Sequence, residues 1–193
     1  MKKDIILAGV GGQGILSIAA IIGSAAIESG MFLKQAEVHG MSQRGGDVQS
    51  NLRISDDEIA SDLIPEGKAD MIISVEPMES LRYLPMLTKE GWVITNIKPF
   101  NNIPNYPDVD KLLAEINAQP RHIAIDADQI AVDLGSPKSA NIVILGAASP
   151  FLGLEIKQLE NAIRFIFGNK GEEIVNTNLN ALAAGRKFAL ENQ

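Results

Sequence analysis

Two glycine-rich segments near the N-terminus constrain this chain more than any other feature. Residues 9–14 (GVGGQG) follow a short apolar run, and residues 39–46 (HGMSQRGG) follow a second strand-like run. Glycine permits tight turns and lets backbone amides approach a ligand closely, as phosphate-binding loops require. The second segment adds the cation Arg44, a histidine and further hydrogen-bonding side chains. Together the two segments predict one composite site for an anionic ligand.

Composition excludes several classes of protein. The chain has 193 residues, no cysteine and a formal net charge of −7. Its length predicts one domain spanning residues 1–193, large enough to bury a core. The negative charge argues against non-specific binding to nucleic acid or to an anionic membrane. Without cysteine the chain offers no thiolate ligands for zinc or an iron–sulfur cluster, so any such cluster must lie on a partner chain.

Apolar segments of the chain are short. The run at residues 5–8 is too brief for the core of a secretory signal, and the longest run, residues 142–148, is far below the length of a membrane span. We therefore expect a cytoplasmic protein without a membrane partner.

Hydrophobic periodicity predicts alternating strands and helices. Short apolar or alternating runs predict strands at residues 4–8, 31–38, 48–54, 71–75, 92–96 and 121–126. Helical patterns cover residues 14–28, 110–117, 139–148, 155–168 and 171–190. A short helix containing Leu81, Leu84 and Leu87 is predicted before the strand at 92–96, and residues 97–108 are predicted to form a surface loop.

This alternation is typical of an α/β protein. We expect a three-layer, Rossmann-like sheet that is mostly parallel, with one antiparallel strand pair and a helical C-terminal third. The antiparallel pair is expected at residues 31–38 and 48–54, because their connection is too short for a crossover helix. Ligands bind such sheets beyond the carboxyl ends of the strands, where both glycine segments, Glu76 and Asn96 would lie.

The first glycine segment matches a dinucleotide-binding pattern. Gly9, Gly11 and Gly14 satisfy G-x-G-x-x-G between a predicted strand and a predicted helix. A classical dinucleotide fold also has an acid about 20 residues further on, and Glu37 is near that place. The loop that follows Glu37 departs from that fold, and the glycines could instead serve only close packing. The candidate ligand-binding residues of this segment are Gly11, Gly12, Gln13 and Gly14.

The second glycine segment offers a guanidinium, Arg44, between Gln43 and the two glycines at positions 45 and 46. Arg44 could hold a carboxylate or phosphate through two parallel hydrogen bonds. Alternatively, it could pair with Glu37 or Asp47 and only stabilise the loop. His39 could move protons, although a single histidine beside a glycine is more often structural. The candidate binding residues of this segment are Ser42, Gln43, Arg44, Gly45 and Gly46.

A self-sufficient catalytic constellation is not visible in the sequence. There is no cluster with metal-ligand spacing, no nucleophile elbow and no Walker lysine after the glycines. Glu76, directly before Pro77, could face the cleft or cap the next helix. We therefore assign no catalytic residue and no metal site to this chain.

The segments at residues 9–15 (GVGGQGI) and 37–46 (EVHGMSQRGG) are specific when they occur together. They resemble the gamma-type subunit of 2-oxoacid:ferredoxin oxidoreductases, and the second is most similar to the beta subunit of the indolepyruvate-oxidising members. Further similarity lies at residues 64–67 (IPEG), at 69–70 (AD), and at Glu76 and Pro77 with Glu79, Leu81 and Arg82. The resemblance covers most of the chain and is strongest over residues 4–96.

The resemblance implies a subunit of an enzyme complex. Such complexes oxidatively decarboxylate a 2-oxoacid, transfer the acyl group to coenzyme A and reduce ferredoxin. Thiamine diphosphate and iron–sulfur clusters are expected on the large, alpha-type partner subunit, which would also contact ferredoxin. This chain would bind no cofactor alone, would be inactive alone, and would cap the partner's active site or line the entrance for the 2-oxoacid or coenzyme A. The residues before Arg44 favour an arylpyruvate such as indolepyruvate.

Two other hypotheses remain open at this point. One is a free-standing nicotinamide-dependent oxidoreductase, which rests on Gly9, Gly11, Gly14 and Glu37. The other is a non-catalytic assembly module, in which the glycines serve packing and the apolar face of the C-terminal helices docks a partner. A chain built to cover a partner could also expose apolar surface and form a homodimer when isolated.

Overall fold

The computed structural model describes residues 1–39 (His39 by its backbone only), 46–101 and 103–193. The predicted binding residues Ser42, Gln43, Arg44 and Gly45 lie outside the described residues, so their part in the site stays a prediction.

Six strands of the described part of the chain form one mixed sheet in the order β2-β3-β1-β4-β5-β6. Strand β3 runs antiparallel to both of its neighbours, whereas the pairs β1–β4, β4–β5 and β5–β6 are parallel. The antiparallel pair predicted from the short connection is confirmed, and β3 lies between β2 and β1. The strands are β1 (Lys2–Val10), β2 (Phe32–His39), β3 (Asp47–Ser55), β4 (Ala69–Ser74), β5 (Leu87–Asn96) and β6 (His122–Ile125).

Helices cover both faces of the sheet, which confirms the three-layer α/β architecture. Ile5 and Leu7 of β1 point to the larger core, which also contains residues from the first helix and the last four. Ile6 points to the opposite face and a smaller core beneath the turn that follows the second helix. The helices are α1 (Ile15–Glu28), α2 (Pro77–Arg82), α3 (Val109–Asn117), α4 (Ala127–Asp133), α5 (Ala140–Ala148), α6 (Ile156–Phe167) and α7 (Glu172–Glu191).

Helices α5 and α7 cross at very short range. A Cβ atom added to Gly146 would lie 2.2 Å from the carbonyl oxygen of Leu182, and one added to Gly185 would lie 1.9 Å from that of Val143. No side chain larger than hydrogen fits at either position, so these two glycines set the distance between the helices. The apolar run at residues 142–148 is therefore a helix buried between the sheet and α7.

Two sequence predictions need correction. Leu87 was predicted in the short helix but begins β5, because a single turn of 3-10 helix at residues 84–86 ends the helical region. Helix α4 was not predicted. Its signal was present, since the Asp126 side chain accepts a hydrogen bond from the backbone N–H of Gln129 at 3.0 Å, as an N-cap residue does.

Candidate functional site

The first glycine segment forms the turn between β1 and α1. Gly12 and Gly14 adopt φ angles of 102° and 81°, in the left-handed region that favours glycine. A Cβ atom on Gly12 would meet no atom within 4 Å, whereas one on Gly9 would lie 2.4 Å from a methyl carbon of Val75. Close packing therefore requires glycine at position 9. At position 12, the backbone conformation favours glycine, and the space around it leaves room for a ligand.

The two glycine segments meet at the carboxyl edge of the sheet. The backbone N–H of Gly11 donates to the carbonyl oxygen of Gly46 at 2.9 Å. The N–H of Gln13 donates to the carbonyl of Val10 at 3.1 Å. Within the described part of the chain, the N–H groups of Gly12 and Gly14 donate to no acceptor. Of the four predicted residues in this turn, these two therefore retain backbone donors for a ligand.

Two amide side chains hold the turn in place. The Gln13 side-chain oxygen accepts from the N–H of Val10 at 2.8 Å, and its nitrogen lies 3.5 Å from the carbonyl oxygen of Val75. Asn141 of α5 donates from Nδ2 to the carbonyl oxygen of Gly14 at 3.1 Å. The turn is thus tied to β4 and to α5 before any ligand arrives, which reduces the entropy that binding must overcome.

A polar recess of about 430 Å³ opens on the β4 side of this turn. A second recess of about 280 Å³ opens on the β3 side, between the turn, the first residues of α1 and Val48. As far as the described residues show, the turn therefore borders open space on two sides. The polar recess is lined among others by Gly12, Gln13, Asn96, Asp128, Lys138 and Asn141.

The far wall of the polar recess comes from β5, α4 and the start of α5. Asn96 is buried and donates to the Asp128 carboxylate at 2.6 Å, while its oxygen accepts from the N–H of Ala127 at 3.1 Å. Asp128 and Lys138 were not singled out in the sequence, because they belong to a helix and a turn that the periodicity did not reveal. The recess presents a carboxylate, an ammonium group and carboxamides, but no cluster of acids.

Glu76 follows β4 at the same edge, as predicted, but it has a structural role. Its carboxylate is fully buried and accepts from the N–H of Glu79 at 2.9 Å, which caps α2. The other carboxylate oxygen accepts from the N–H of Phe100 at 3.2 Å and from the hydroxyl of Tyr106. Of the two interpretations considered, the cap is the one that the contacts support.

Charged groups of α2 and the tyrosine that follows it lie near the start of β3. Arg82 donates to both carboxylate oxygens of Glu79, at 2.8 and 3.1 Å, and this pairing raises the pKa of the guanidinium. Burial raises the pKa of Tyr83 to about 12, and the negative charge of Asp47 adds to the effect. Asp47 directly follows Gly46, so this edge carries both charge signs beside the second glycine segment.

Glu37 does not occupy the position of the acid in a dinucleotide fold. In that fold the second strand lies directly beside the first. Here the antiparallel β3 separates them, so β2 is two strand spacings, about 10 Å, from β1. The geometry therefore disfavours a classical nicotinamide or flavin site built on the glycine turn and Glu37.

In the described part of the chain, neither the contacts of His122 nor the positions of the acidic residues indicate catalysis or metal binding. The His122 ring nitrogen Nδ1 lies 2.8 Å from the carbonyl oxygen of Gln119, a contact that indicates a structural role. Within residues 1–39, 46–101 and 103–193, no group of three or more acids and histidines could hold a metal ion. In the same part of the chain, no helix is both long and apolar enough to cross a membrane.

Comparison with known proteins identifies the family. The family model described as pyruvate ferredoxin/flavodoxin oxidoreductase matches residues 4–188. The indolepyruvate oxidoreductase subunit IorB of Archaeoglobus fulgidus is 38% identical over 98% of this chain and 96% of its own length. The subunit of the same name from Thermococcus kodakarensis is 37% identical over 99% of this chain and 98% of its own length.

Solved structures show the same fold. The gamma subunit of a keto/oxoacid ferredoxin oxidoreductase from Geobacter sulfurreducens superposes with a TM-score of 0.73 at 24% identity, over 98% of this chain and 99% of its own. The 2-oxoglutarate:ferredoxin oxidoreductase of Magnetococcus marinus gives a TM-score of 0.81 at 23% identity. The match covers the whole of this chain but 32% of the Magnetococcus chain, so this chain corresponds to one part of that larger polypeptide. The fold, the glycine turn and the similarity over nearly the full length together establish that this chain belongs to the pyruvate ferredoxin/flavodoxin oxidoreductase family.

Proposed function

We propose that this chain is the subunit without iron–sulfur clusters of an arylpyruvate:ferredoxin oxidoreductase, with indolepyruvate as the representative substrate. The complex would decarboxylate the 2-oxoacid oxidatively, pass the electrons to ferredoxin and release the acyl group as its coenzyme A thioester. The large partner subunit would carry thiamine diphosphate, as the family resemblance implies. It would also carry the clusters, because this chain has no cysteine to hold one. Such a complex would operate in the cytoplasm.

One observation carries the proposal. The two glycine segments are joined at a single edge of the sheet by the hydrogen bond from Gly11 to Gly46, 2.9 Å long. Two backbone donors of the first segment, Gly12 and Gly14, remain available there, at the N-terminal end of α1. A helix N-terminus carries a partial positive charge, so donors and field both favour an anion.

We assign this edge to the phosphate-bearing part of coenzyme A. Gly12 and Gly14 would donate from the backbone, and Arg44 would supply the cation, with Ser42, Gln43 and Gly45 beside it. Gly11, Gln13 and Gly46 would hold the two segments together rather than contact the ligand. None of these residues would make or break a bond, because the carbon chemistry belongs to thiamine diphosphate on the partner.

The comparisons support the substrate class and the cosubstrate to different degrees. Relatives named as indolepyruvate oxidoreductase subunits are 35–38% identical over nearly their whole length. A 2-oxoglutarate synthase subunit from Methanothermobacter marburgensis is less similar, at 29% identity. The Magnetococcus structure that shares the fold contains coenzyme A and succinyl-CoA, which supports a coenzyme A site in this type of complex.

The test uses the complex co-purified from cells that produce this chain with its large partner. Ferredoxin reduction is measured with indolepyruvate while the coenzyme A concentration is varied. For Arg44→Ala, loss of a charge-assisted hydrogen bond of about 1.5–3 kcal/mol corresponds to roughly a ten- to hundredfold rise in KM for coenzyme A. Decarboxylation of indolepyruvate in the absence of coenzyme A should be unchanged, because that step needs only thiamine diphosphate.

The control is Arg121→Ala, which removes an exposed arginine at the opposite edge of the sheet. An unchanged KM for coenzyme A in Arg44→Ala would refute the assigned role of that residue. A loss of the decarboxylation step would move the site to thiamine diphosphate instead. Failure of the wild-type complex to reduce ferredoxin with any arylpyruvate would refute the substrate class itself.

A further inference from the structure

The polar recess beside the glycine turn lies where the connections of two neighbouring strands leave the sheet toward opposite faces. Strands β1 and β4 are parallel neighbours. After β1 the chain passes to α1, which packs into the larger core. After β4 it passes to α2 and then to Tyr83 and Leu84, which pack against the smaller core on the other face. The carboxyl ends of two such strands leave a crevice, and ligands of open α/β sheets bind there.

Three side chains that line this recess have hydrogen-bonding capacity that the described residues do not use. Asp128 Oδ2 accepts from Asn96 at 2.6 Å, whereas Oδ1 accepts from no described group. Asn141 donates to Gly14, but its side-chain oxygen accepts from no described group. Lys138 is exposed and forms no ion pair with a described acid. The recess therefore offers two acceptors and one cation to a ligand.

The recess on the β3 side of the turn (the β3-side recess) differs in its chemistry. Its described lining residues are glycines and the aliphatic residues Val10, Ile15, Leu16 and Val48. Among the described lining residues of the two recesses, charged side chains therefore occur only in the polar recess. Because the two recesses flank one turn, a long ligand held at the turn extends into both of them.

We propose that the polar recess binds the adenosine 3′-phosphate end of coenzyme A, and that the pantetheine arm leaves the turn over the β3-side recess. The inference rests on the proposed function and places the diphosphate of coenzyme A at the turn. Two parts extend from that diphosphate. One is the nucleoside, with an amino group, a hydroxyl and a further phosphate, and the other is an arm that carries amides but no charge. The charged end fits the recess that has charged side chains.

The order of groups along the nucleoside assigns each contact. The ribose follows the diphosphate directly, so it lies beside Asn141, which touches the turn through Gly14 and accepts from the ribose hydroxyl. The adenine amino group is the most distant, so it donates to Asp128 on the far wall. The base between them contacts the apolar side chains of Val75 and Ile144. The recess volume of about 430 Å³ is within the range of known ligand sites.

The 3′-phosphate is assigned to Lys138 and is tested by combining a side-chain change with a ligand change. The co-purified complex reduces ferredoxin with indolepyruvate and either coenzyme A or dephospho-coenzyme A, which lacks only the 3′-phosphate. Lys138→Ala should raise the KM for coenzyme A about two- to fivefold, as loss of an exposed charge pair does. The KM for dephospho-coenzyme A should not change. Lys111→Ala, at an exposed lysine of α3, is the matched control and should change neither KM.

A variant in the β3-side recess distinguishes the two possible orientations of the ligand. Leu16→Glu places a carboxylate beside the turn, on the side assigned to the pantetheine arm. It should raise the KM for coenzyme A and for dephospho-coenzyme A by the same factor, because both carry the diphosphate and the same arm. A larger rise for coenzyme A would place the 3′-phosphate in the β3-side recess and overturn the proposal.

The contact of Asp128 with the base is tested with a coenzyme A analogue in which hypoxanthine replaces adenine. A carbonyl oxygen then faces the carboxylate in place of the amino group, and the KM should be about tenfold higher than for coenzyme A. Asp128→Asn can donate to that carbonyl and still accept from Asn96, so the ratio of the two KM values should fall toward one. Asp133→Asn, the same change in the same helix, should keep the wild-type ratio. An unchanged ratio in Asp128→Asn would refute the contact.

Binding of the nucleoside end alone is measured without turnover. In titration calorimetry, adenosine 3′,5′-bisphosphate should bind the wild-type complex and should bind Lys138→Ala about two- to fivefold more weakly. Failure of the proposed function has a different signature from failure of this proposal. If the turn does not bind coenzyme A, Arg44→Ala leaves its KM unchanged. If only the orientation is wrong, Arg44→Ala raises that KM, whereas Lys138→Ala affects coenzyme A and dephospho-coenzyme A alike or not at all.

Discussion

Asp4 of β1 and Arg53 of β3 form a buried ion pair with two parallel hydrogen bonds. Arg53 Nε donates to Asp4 Oδ1 at 2.7 Å, and Nη2 donates to Oδ2 at 2.9 Å. The remaining donor of the guanidinium, Nη1, binds the carbonyl oxygens of Ser61 and Leu63 at 3.0 and 2.9 Å. One side chain therefore links two neighbouring strands to the loop that crosses their outer face.

Arg53→Met is expected to destabilise the fold strongly. The substitution removes both guanidinium hydrogen bonds from the buried Asp4 carboxylate and leaves it only the exposed Lys2 ammonium group, 2.9 Å away. Breaking a buried pair costs up to about 3–5 kcal/mol in comparable cases. Urea denaturation followed by circular dichroism measures the loss. The matched control is Arg121→Met, because Arg121 pairs with Glu90 at 2.7 Å on the surface and should contribute at most about 1 kcal/mol. Equal effects of the two substitutions would contradict the importance of the buried pair.

Gly185→Ala is expected to separate α5 from α7. The added methyl group would lie 1.9 Å from the backbone oxygen of Val143, which cannot rotate away as a side chain could. Overpacking of this kind costs about 1–3 kcal/mol, and more where the backbone must shift. Thermal unfolding should show a lower midpoint for the variant.

The control for the helix crossing is Gly168→Ala, at the end of α6. A methyl group there meets no atom within 4 Å, and the φ angle of −53° suits alanine. This variant should be neutral or more stable by about 0.4–1 kcal/mol, because alanine restricts the unfolded chain. A fall in the melting midpoint as large as that of Gly185→Ala would contradict the packing argument.

Both tyrosines of the chain should ionise at unusually high pH. Burial raises the pKa of Tyr83 to about 12. Burial and the hydrogen bond to the Glu76 carboxylate raise the pKa of Tyr106 as well. In the unfolded chain both should titrate near their ordinary pKa of about 10. The folded state therefore holds the phenolic protons more tightly than the unfolded state.

The sign of the resulting pH dependence follows from linkage. The stability contributed by Tyr83 is complete below a pH of about 10 and is lost as the pH rises toward 12. Ultraviolet titration should detect little tyrosinate in the native chain at a pH where the denatured chain is half ionised. In Tyr83→Phe, the remaining titration of Tyr106 should still lie above that of the denatured chain. Half ionisation of the native chain near a pH of about 10 would contradict both assignments.

Gln13→Glu tests the electrostatic character of the glycine turn. The new carboxylate can still accept the hydrogen bond from Val10, but it no longer donates toward the carbonyl of Val75 and it places a negative charge beside Gly12. If the turn binds the phosphates of coenzyme A, the KM for coenzyme A should rise several-fold and the rise should diminish at high salt. Gln119→Glu makes the same charge change at the opposite edge and should leave that KM unchanged.

The order of helices and strands was largely readable in the sequence because burial imposes local periods. The apolar run at residues 5–8 marked β1, and the short connection after residue 38 correctly indicated an antiparallel partner. Helix α4 escaped detection because it has seven residues and buries only Ala127 and Ala131. A helix of two turns carries too few apolar positions for its period to be recognised.

One part of the candidate site could likewise be predicted from local sequence, and the other part could not. The glycine turn was predictable because positive φ angles and open backbone require glycine itself, which is visible as a residue type. The polar recess was not, because Asn96, Asp128, Lys138 and Asn141 are separated along the chain and meet only when β5, α4 and α5 pack around the turn. The buried role of Glu76 likewise depends on Tyr106, thirty positions away in the chain.

The sequence by itself therefore determined the α/β class, the antiparallel strand pair and the two glycine segments, since each follows from local chemistry. Only the tertiary structure decided that β3 lies between β2 and β1, and that choice has two consequences. It moves Glu37 away from the glycine turn, which removes the classical dinucleotide geometry, and it leaves β2 as the outer strand of the sheet. Strand order is a property of long-range pairing, and no local pattern of residues specifies it.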